Sequence, residues 1–408
     1  MLVAIMAALV LSGCAEQEGE QKGGGVGLAI GATKEDFVAA LADMSPVTLR
    51  LQSTAPQGAA TGRRFEDYAK AVEDWSGGKI TFDIAYANAV VPPAEVADAI
   101  NDGRLDMGSV VTTLVPTDFP VNGALWDLSF LGRQSPVGGL LQSEAMLLDA
   151  SVSTPEIYDE FADLGLFPVV PAFTAGSVGL ACSSERNGLD TLGGNIVASQ
   201  SRTTEAQARA LGMTHVSANY TEMFESLERG VVDCTLTSLT VAALSGFIPA
   251  APHFVIDQET GFGNSGGSFV VNADKWDSLP LAARQLLFDR ADVFLTANFE
   301  GAWDNIKDAV GQFDEADGEV SPMEPDTKAE LEAFNKSLID AARSNAAIAD
   351  AEGFVDTIEE SLQTWSDLEG DAPTDYAEFA DWYESGSVDL TSYLERLWTT
   401  TMDKKRPR

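Results

Sequence analysis

Apolar and polar positions along this chain switch between two periods, and each switch predicts a change of element. Residues 47–52 (VTLRLQ) alternate as a strand, and after the loop STAPQGAATG the apolar positions recur at helical spacing over 64–75. Gly77 and Gly78 close that helix, and 79–86 (KITFDIAY) alternate again as a second strand. Residues 34–44 read as a short helix ahead of all this. Further on, the pattern predicts a turn-rich, aromatic, rigid loop at 116–132. It then predicts one helix over 144–164 that crosses toward a second lobe, strands at 168–173, 178–183 and 195–199, and a helix at 204–211. Residues 268–272 (SFVVN) read as a strand returning to the first lobe, and from 279 the spacing is helical almost to the end.

One pattern is written twice. Residues 95–106 read EVADAINDGRLD and residues 222–233 read EMFESLERGVVD, the same order of acid, apolar, acid, apolar, Gly, apolar and Asp. In each copy positions at helical spacing (Val96, Ala99, Ile100; Met223, Ser226, Leu227) run into a glycine suited to the left-handed end of a helix. A short apolar strand follows, at 105–111 and 231–236. Two such units predict two similar α/β lobes, each bringing the end of a strand to a shared cleft. Because the chain leaves the first lobe and comes back, several segments join the lobes as a hinge.

Composition narrows the partners. Against 25 basic residues stand 63 acidic ones, a formal charge of −38, which repels phosphate backbones and excludes nucleic acid. The first thirteen residues, MLVAIMAALVLSG, carry no charge and are too short to span a bilayer, as in a secretory signal. Leu11, Ser12, Gly13 and Cys14 match the lipobox of bacterial lipoproteins, which makes Cys14 the expected acylated N-terminus. The acidic, Gly-rich residues 14–33 then form a flexible tether. For Cys182 and Cys234, both in strands of the second lobe, the spacing leaves open a disulfide and two buried free thiols.

The order of motifs over 192–238 is specific enough to carry a resemblance. LGGNIVAS is followed by ARALG (208–212), YTEMF (220–224) and GVVDC (230–234). Together with FEDYAKAVEDWSGGKITFDI and DKWDSLP (274–280), they resemble the solute-binding subunits of tripartite ATP-independent periplasmic (TRAP) transporters of the DctP type, over roughly residues 47–365. The resemblance implies a two-lobed periplasmic-binding-protein-like fold, two α/β lobes around a ligand cleft. It further implies capture of a small organic solute, usually a carboxylate, and delivery to TRAP permease subunits in the membrane, with no cofactor and no catalysis. The divisions expected are a signal at 1–13, the tether at 14–33, the first lobe at 34–165, the second at 166–267, a return to the first with crossing helices at 268–330 and a helical C-terminal extension at 331–408. In that extension Tyr376, Phe379, Trp382 and Tyr383 recur at helical spacing, which predicts packing against the first lobe or a partner.

The site residues are carried over position by position. A carboxylate in a dry cleft suits a bidentate arginine, and the family places one at the end of the Leu-x-Gly strand. Here that position is Ala198. Arg202, four residues on, is the expected stand-in, aided by free amides at the start of the following helix. Tyr220 matches an aromatic that packs on the ligand, and Thr237 falls where relatives carry an Asn. From the first lobe Gln52 and Ser109 lie near strand ends, and Trp126 on the aromatic loop.

Two other readings stand beside this one. The lobes alone do not distinguish a TRAP receptor from the receptor of an ATP-driven importer. The run NSGG at 264–267 resembles the loop around a serine-protease nucleophile, but Ser265 has only His215 and His253 as candidate bases, neither in a recognisable motif. Metal sites have no ligand cluster in the sequence, though weak calcium binding by acids such as Asp356, Glu359 and Glu360 stays open.

Overall fold

The computed structural model describes residues 25–199, 201–217, 223–264 and 266–408. Cys14, the signal and most of the tether lie outside them, as do Tyr220 and Ser265. Eleven strands are present among the described residues: β1 (Val47–Gln52), β2 (Ile80–Ala85), β3 (Met107–Val110), β4 (Leu166–Thr174), β5 (Val178–Cys182), β6 (Ile196–Ser199), β7 (Thr214–Ser217), β8 (Cys234–Ser238), β9 (His253–Val255), β10 (Gly266–Asn272) and β11 (Glu319–Ser321). They form two sheets, ordered β2-β1-β3-β10-β4 and β11-β9-β5-β8-β6-β7. In both, parallel strands joined through helices are flanked by a strand running antiparallel to them, β10 in the first sheet and β5 in the second, each reached just after the chain crosses from the other sheet, as the two-lobed reading requires.

The repeated unit explains the parallel cores. Each copy forms a short helix, Val96–Asn101 and Met223–Glu228, ended by a left-handed glycine, Gly103 at φ +79° and Gly230 at φ +65°. A side chain is disfavoured there, and the chain reverses at once into β3 or β8.

Three expectations need correction. Residues 168–173 were expected in the second lobe, but β4 pairs antiparallel with β10 in the first sheet. Its nearly continuous burial suits either sheet, so only pairing decides. The single crossing helix over 144–164 is two helices, Gly138–Ser153 and Pro155–Asp163, both packed on β4 rather than crossing. The break falls at Thr154, which Pro155 forces out of the helical region, to φ −110° and ψ 100°. The loop at 116–132 contains a helix, Pro120–Asp127, with proline in its first turn and Val121, Ala124, Leu125 and Leu128 buried.

The chain passes between sheets at 175–177, at 256–264, and along the 25-residue helix Ala291–Glu315. That helix packs on Arg63–Trp75 of the first lobe and on Leu239–Ser245 of the second. It delivers β11 to the second sheet, where it pairs with β9. Phe294 on this helix stacks on Phe269 of β10 with centroids 4.6 Å apart, and Tyr68 meets Phe269 edge-on at 5.0 Å. These rings anchor the bridging helix in the first core.

The C-terminal extension begins on the second lobe, where Asn335 accepts from Gln207 at 2.7 Å, and its later part packs on the bridging helix and on the first lobe. Tyr376, Phe379 and Tyr383 are buried, and Tyr383 lies 6.1 Å from Trp303. Trp382 is the exposed member of the set, 42% accessible. Near the end, Arg406 grips Asp289 with two bonds of 2.8 Å.

Cys182 and Cys234 face each other across the antiparallel pair β5 and β8 and are joined as a disulfide. Asp356 and Glu359, one candidate calcium face, are both paired with Arg343.

Candidate functional site

The second sheet opens onto a cavity between the lobes, of about 630 Å³ including its mouth. β8 runs out along it and places Thr235 and Thr237 on one face. β6 ends at it with Ser199, whose Oγ is buried and has no hydrogen-bond partner. The first lobe contributes Thr113, from the 3-10 turn Thr112–Leu114 just after β3. Met223, Val241 and Phe247 supply an apolar wall.

Two helices start at the cavity. Ser201 caps Arg202–Ala210 by accepting the Thr204 N–H at 3.1 Å, and Ser238 caps Leu239–Ser245 by accepting the Val241 N–H at 3.3 Å. Ser201, Thr204 and Ser238 also line the cavity. None of the described residues lining it is charged. The N-terminus of the nine-residue helix Arg202–Ala210 therefore supplies positive potential, and the hydroxyls supply hydrogen bonds. The arrangement suits a small solute bearing oxygens on one side and an apolar body on the other.

The residues expected from sequence divide sharply. Thr237 lines the cavity. Ala198 is fully buried one residue short of the opening, paired with Thr235 and Val216, and Ser199 takes the place at the strand end. Arg202 does not line the cavity. Its guanidinium is bidentate on Asp127 of the first lobe, Nε to Oδ1 at 2.9 Å and Nη2 to Oδ2, and Thr203 Oγ1 donates to the same carboxylate at 2.6 Å. The Asp127 hydrogen bonds push the arginine's pKa up against the opposing effect of burial.

The other three first-lobe candidates serve the scaffold. Gln52 is buried and holds the 88–91 loop: its Oε1 accepts from Val90 and Val91 and its Nε2 donates to Val91 O, all within 3.0 Å. Ser109 is buried in β3 opposite Phe269, and Trp126 is buried in the core of the first lobe. The glycines around Ser265 have a packing reason, since a Cβ on Gly266 would meet Phe173 O at 2.0 Å where β10 closes on β4. Sequence reasoning missed Thr113, Ser199, Ser201, Thr204 and Thr235. The one signal for them was the serine two residues past a strand and three before Thr204, a helix-cap spacing.

The sequence matches the family model DctP, bacterial extracellular solute-binding protein family 7, over residues 51–345. A solute-binding protein of Verminephrobacter eiseniae (strain EF01-2) is 24% identical over 249 residues, 60% of this chain and 70% of that protein. Among solved structures, a marine metagenome TRAP solute-binding protein specific for pyroglutamate superposes with a TM-score of 0.66 at 17% identity, covering 78% of this chain and all of that one. A second marine metagenome TRAP protein, specific for aromatic acid ligands and holding 3-hydroxybenzoate, gives 0.67 at 18% identity, over 79% of this chain and 99% of its own.

Proposed function

The chain belongs to the DctP family of bacterial extracellular solute-binding proteins, and from that premise we propose that it captures a small organic acid between its lobes and delivers it to a TRAP-type permease. The carrying observation is the uncharged, hydroxyl-lined cavity with its unpartnered Ser199 Oγ. An acid enters with its oxygens toward Ser199, Thr237 and the start of helix Arg202–Ala210, and its body against Met223 and Phe247. Closure brings Thr113 over the solute and sets Arg202 on Asp127, so the bound state is the one whose lobes are latched. The permease reads that closed state. Cys14 carries the lipid that keeps the receptor at the outer face of the membrane, and the reaction is binding, with no bond made or broken.

The organic acids held by the two structural neighbours support the class of solute. A thermal-shift screen of organic acids, sugar acids, amino acids and neutral polyols tests it. An acid at 100 times its dissociation constant adds about 2.7 kcal/mol of stability. Thr237→Val with Ser199→Ala is expected to weaken that acid about tenfold or more, by removing two buried hydrogen bonds. A screen in which only neutral solutes respond, or an acid hit indifferent to both substitutions, refutes the assignment. Metabolic labelling with palmitate checks Cys14, since Cys14→Ser abolishes both labelling and membrane association if the anchor is real.

A further inference from the structure

A second crevice, of about 210 Å³ including its mouth and the solvent open to it, lies where both lobes meet the bridging helix Ala291–Glu315. Its walls come from every moving part. Thr61 and Arg64 belong to the first lobe, Thr240 to the second, Ala175 to a connecting segment, and Asn298 and Asn305 to the bridging helix Ala291–Glu315. By sequence pattern alone, Arg64 only begins a helix.

Arg64 is 8% exposed, and its guanidinium is only partly satisfied. One Nη donates to Asn298 Oδ1 at 2.6 Å, while Nε is buried with no hydrogen-bond partner. The Phe173 and Phe65 rings lie 4.7 and 5.2 Å from the guanidinium carbon. Among the described residues no carboxylate forms an ion pair with it within 4 Å. The buried acid whose charge it feels, Glu144, accepts the Thr174 N–H at 2.9 Å and leaves its other oxygen unpartnered. Burial pushes the Glu144 carboxyl up to about 8, against the pull of Thr174 and Arg64, so near neutral pH it is largely uncharged. Burial also lowers Arg64, to about 10, which leaves it a cation at the same pH. A buried cation with an unpartnered Nε and no carboxylate within ion-pair distance is costly, and an anion in the adjoining space lowers that cost.

We propose that this crevice is an anion site that takes one small monoanion, a halide or a carboxylate of formate size, against the Arg64 guanidinium. The enclosed part of the crevice is small enough to suit one ion of that size and not a larger solute. The polar groups around it have prior commitments: Asn298 Nδ2 donates to Thr174 O, and Asn305 Nδ2 to Thr61 Oγ1. Arg64 is therefore the donor that decides binding. Because both lobes and the bridging helix form the walls, occupancy favours the closed arrangement. With a net charge of −38 repelling free anions, retention depends on this local cation.

Crystals of the mature chain soaked in sodium bromide, measured at the bromine edge, test the site directly. Thermal unfolding is followed in parallel against sodium bromide or sodium formate, balanced with methanesulfonate at constant ionic strength. The expected result is an anomalous peak beside Arg64 and a saturable rise in midpoint with either anion. Arg64→Met abolishes both signals. Asn305→Leu, which fills the crevice and keeps the arginine, raises the half-saturating bromide concentration about tenfold or more, the scale of a lost charge-assisted hydrogen bond. Thr237→Val, in the other cavity, leaves the bromide response unchanged. No peak and no saturable response in the wild type overturns the proposal, as does a response that both variants retain. Neither result bears on the organic-acid screen, so the two assignments fail independently.

Discussion

Asp106 and Asp233 close the two copies of the repeated unit, and each does the same work in its own lobe. The Asp106 carboxylate accepts the Arg50 N–H at 2.8 Å, and that of Asp233 accepts the Ile196 N–H at 2.8 Å. Each aspartate's own N–H returns a 2.8 Å bond to the same neighbour, which fixes β3 on β1 and β8 on β6. The surroundings then part company. The Asp106 side chain is 6% exposed, gripped by the Arg50 guanidinium at 3.0 and 3.1 Å with Lys275 at 3.9 Å. That of Asp233 is 35% exposed, with Arg186 no nearer than 3.8 Å. Beyond Asp106 the strand is sealed, whereas beyond Asp233 it runs out along the cavity with Thr235 and Thr237. The shared pattern thus sets strand register, and the strand residues after the aspartate add the chemistry. The lobe whose aspartate is held more loosely is the one that supplies most of the cavity's hydroxyls, and it is tied by a disulfide.

If that disulfide compensates for the looser clamp, its removal has the largest effect of any change considered. The bridge spans a sequence separation of 52, for which chain entropy gives roughly 4 kcal/mol. Cys182→Ala with Cys234→Ala is expected to lower stability by that order and to make the second lobe unfold first. Hydrogen exchange during urea unfolding separates the lobes. A single transition shared by both, at an unshifted midpoint, breaks the comparison.

The aspartates themselves provide a sharper contrast. Asp106→Asn is expected to cost about 2–3 kcal/mol, the scale of hydrogen bonds to a charged group, and Asp233→Asn about 1 kcal/mol. Burial alone would raise the Asp106 pKa, but the Arg50 hydrogen bonds, with the charges of Arg50 and Lys275, hold it below the ordinary carboxylate value. A carboxylate with a depressed folded-state pKa adds stability at pH values above its unfolded pKa. That contribution is lost as pH falls through the folded value. Asp106→Asn therefore flattens the loss of stability below about pH 4, measured by urea titration at a series of pH values. Equal acid limbs in the two variants would show that the clamps are alike after all.

The repeat was readable because everything it specifies is local: helix face, left-handed glycine and strand lie within a few residues of each other. The features that lay beyond the sequence depended on distant partners. An apolar run such as that of β4 suits either sheet until it pairs with β10. By contrast, Thr154 and Pro155 did carry the signal that breaks the expected crossing helix. The cleft between lobes followed from the order of elements, yet its lining did not. Ala198 and Ser199 differ by one position at the end of a strand, enough to leave Ala198 beneath the opening and bring Ser199 to it. Gln52 has the polar end of a ligand contact and uses it on the loop at 88–91 instead.

Arg202 gives the smallest effect and the sharpest test of how the lobes divide their labour. Sequence position made it the carboxylate clamp, whereas its hydrogen bonds make it a latch across the lobes on Asp127. The Arg202 side chain is 60% exposed and that of Asp127 28%, so solvent screens the pair and it is worth about 0.2–1 kcal/mol. A latch of that strength, acting only through closure, changes solute affinity by up to about fivefold. Arg202→Ala and Asp127→Ala should then weaken binding to a similar degree, the double variant should add little, and added salt should erode the difference. A loss of a hundredfold or so in Arg202→Ala alone, with Asp127→Ala neutral or tighter, means that the guanidinium leaves its aspartate for the solute. In that case the first lobe acts as a competitor for the arginine, and closure is measured by how completely the ligand wins it.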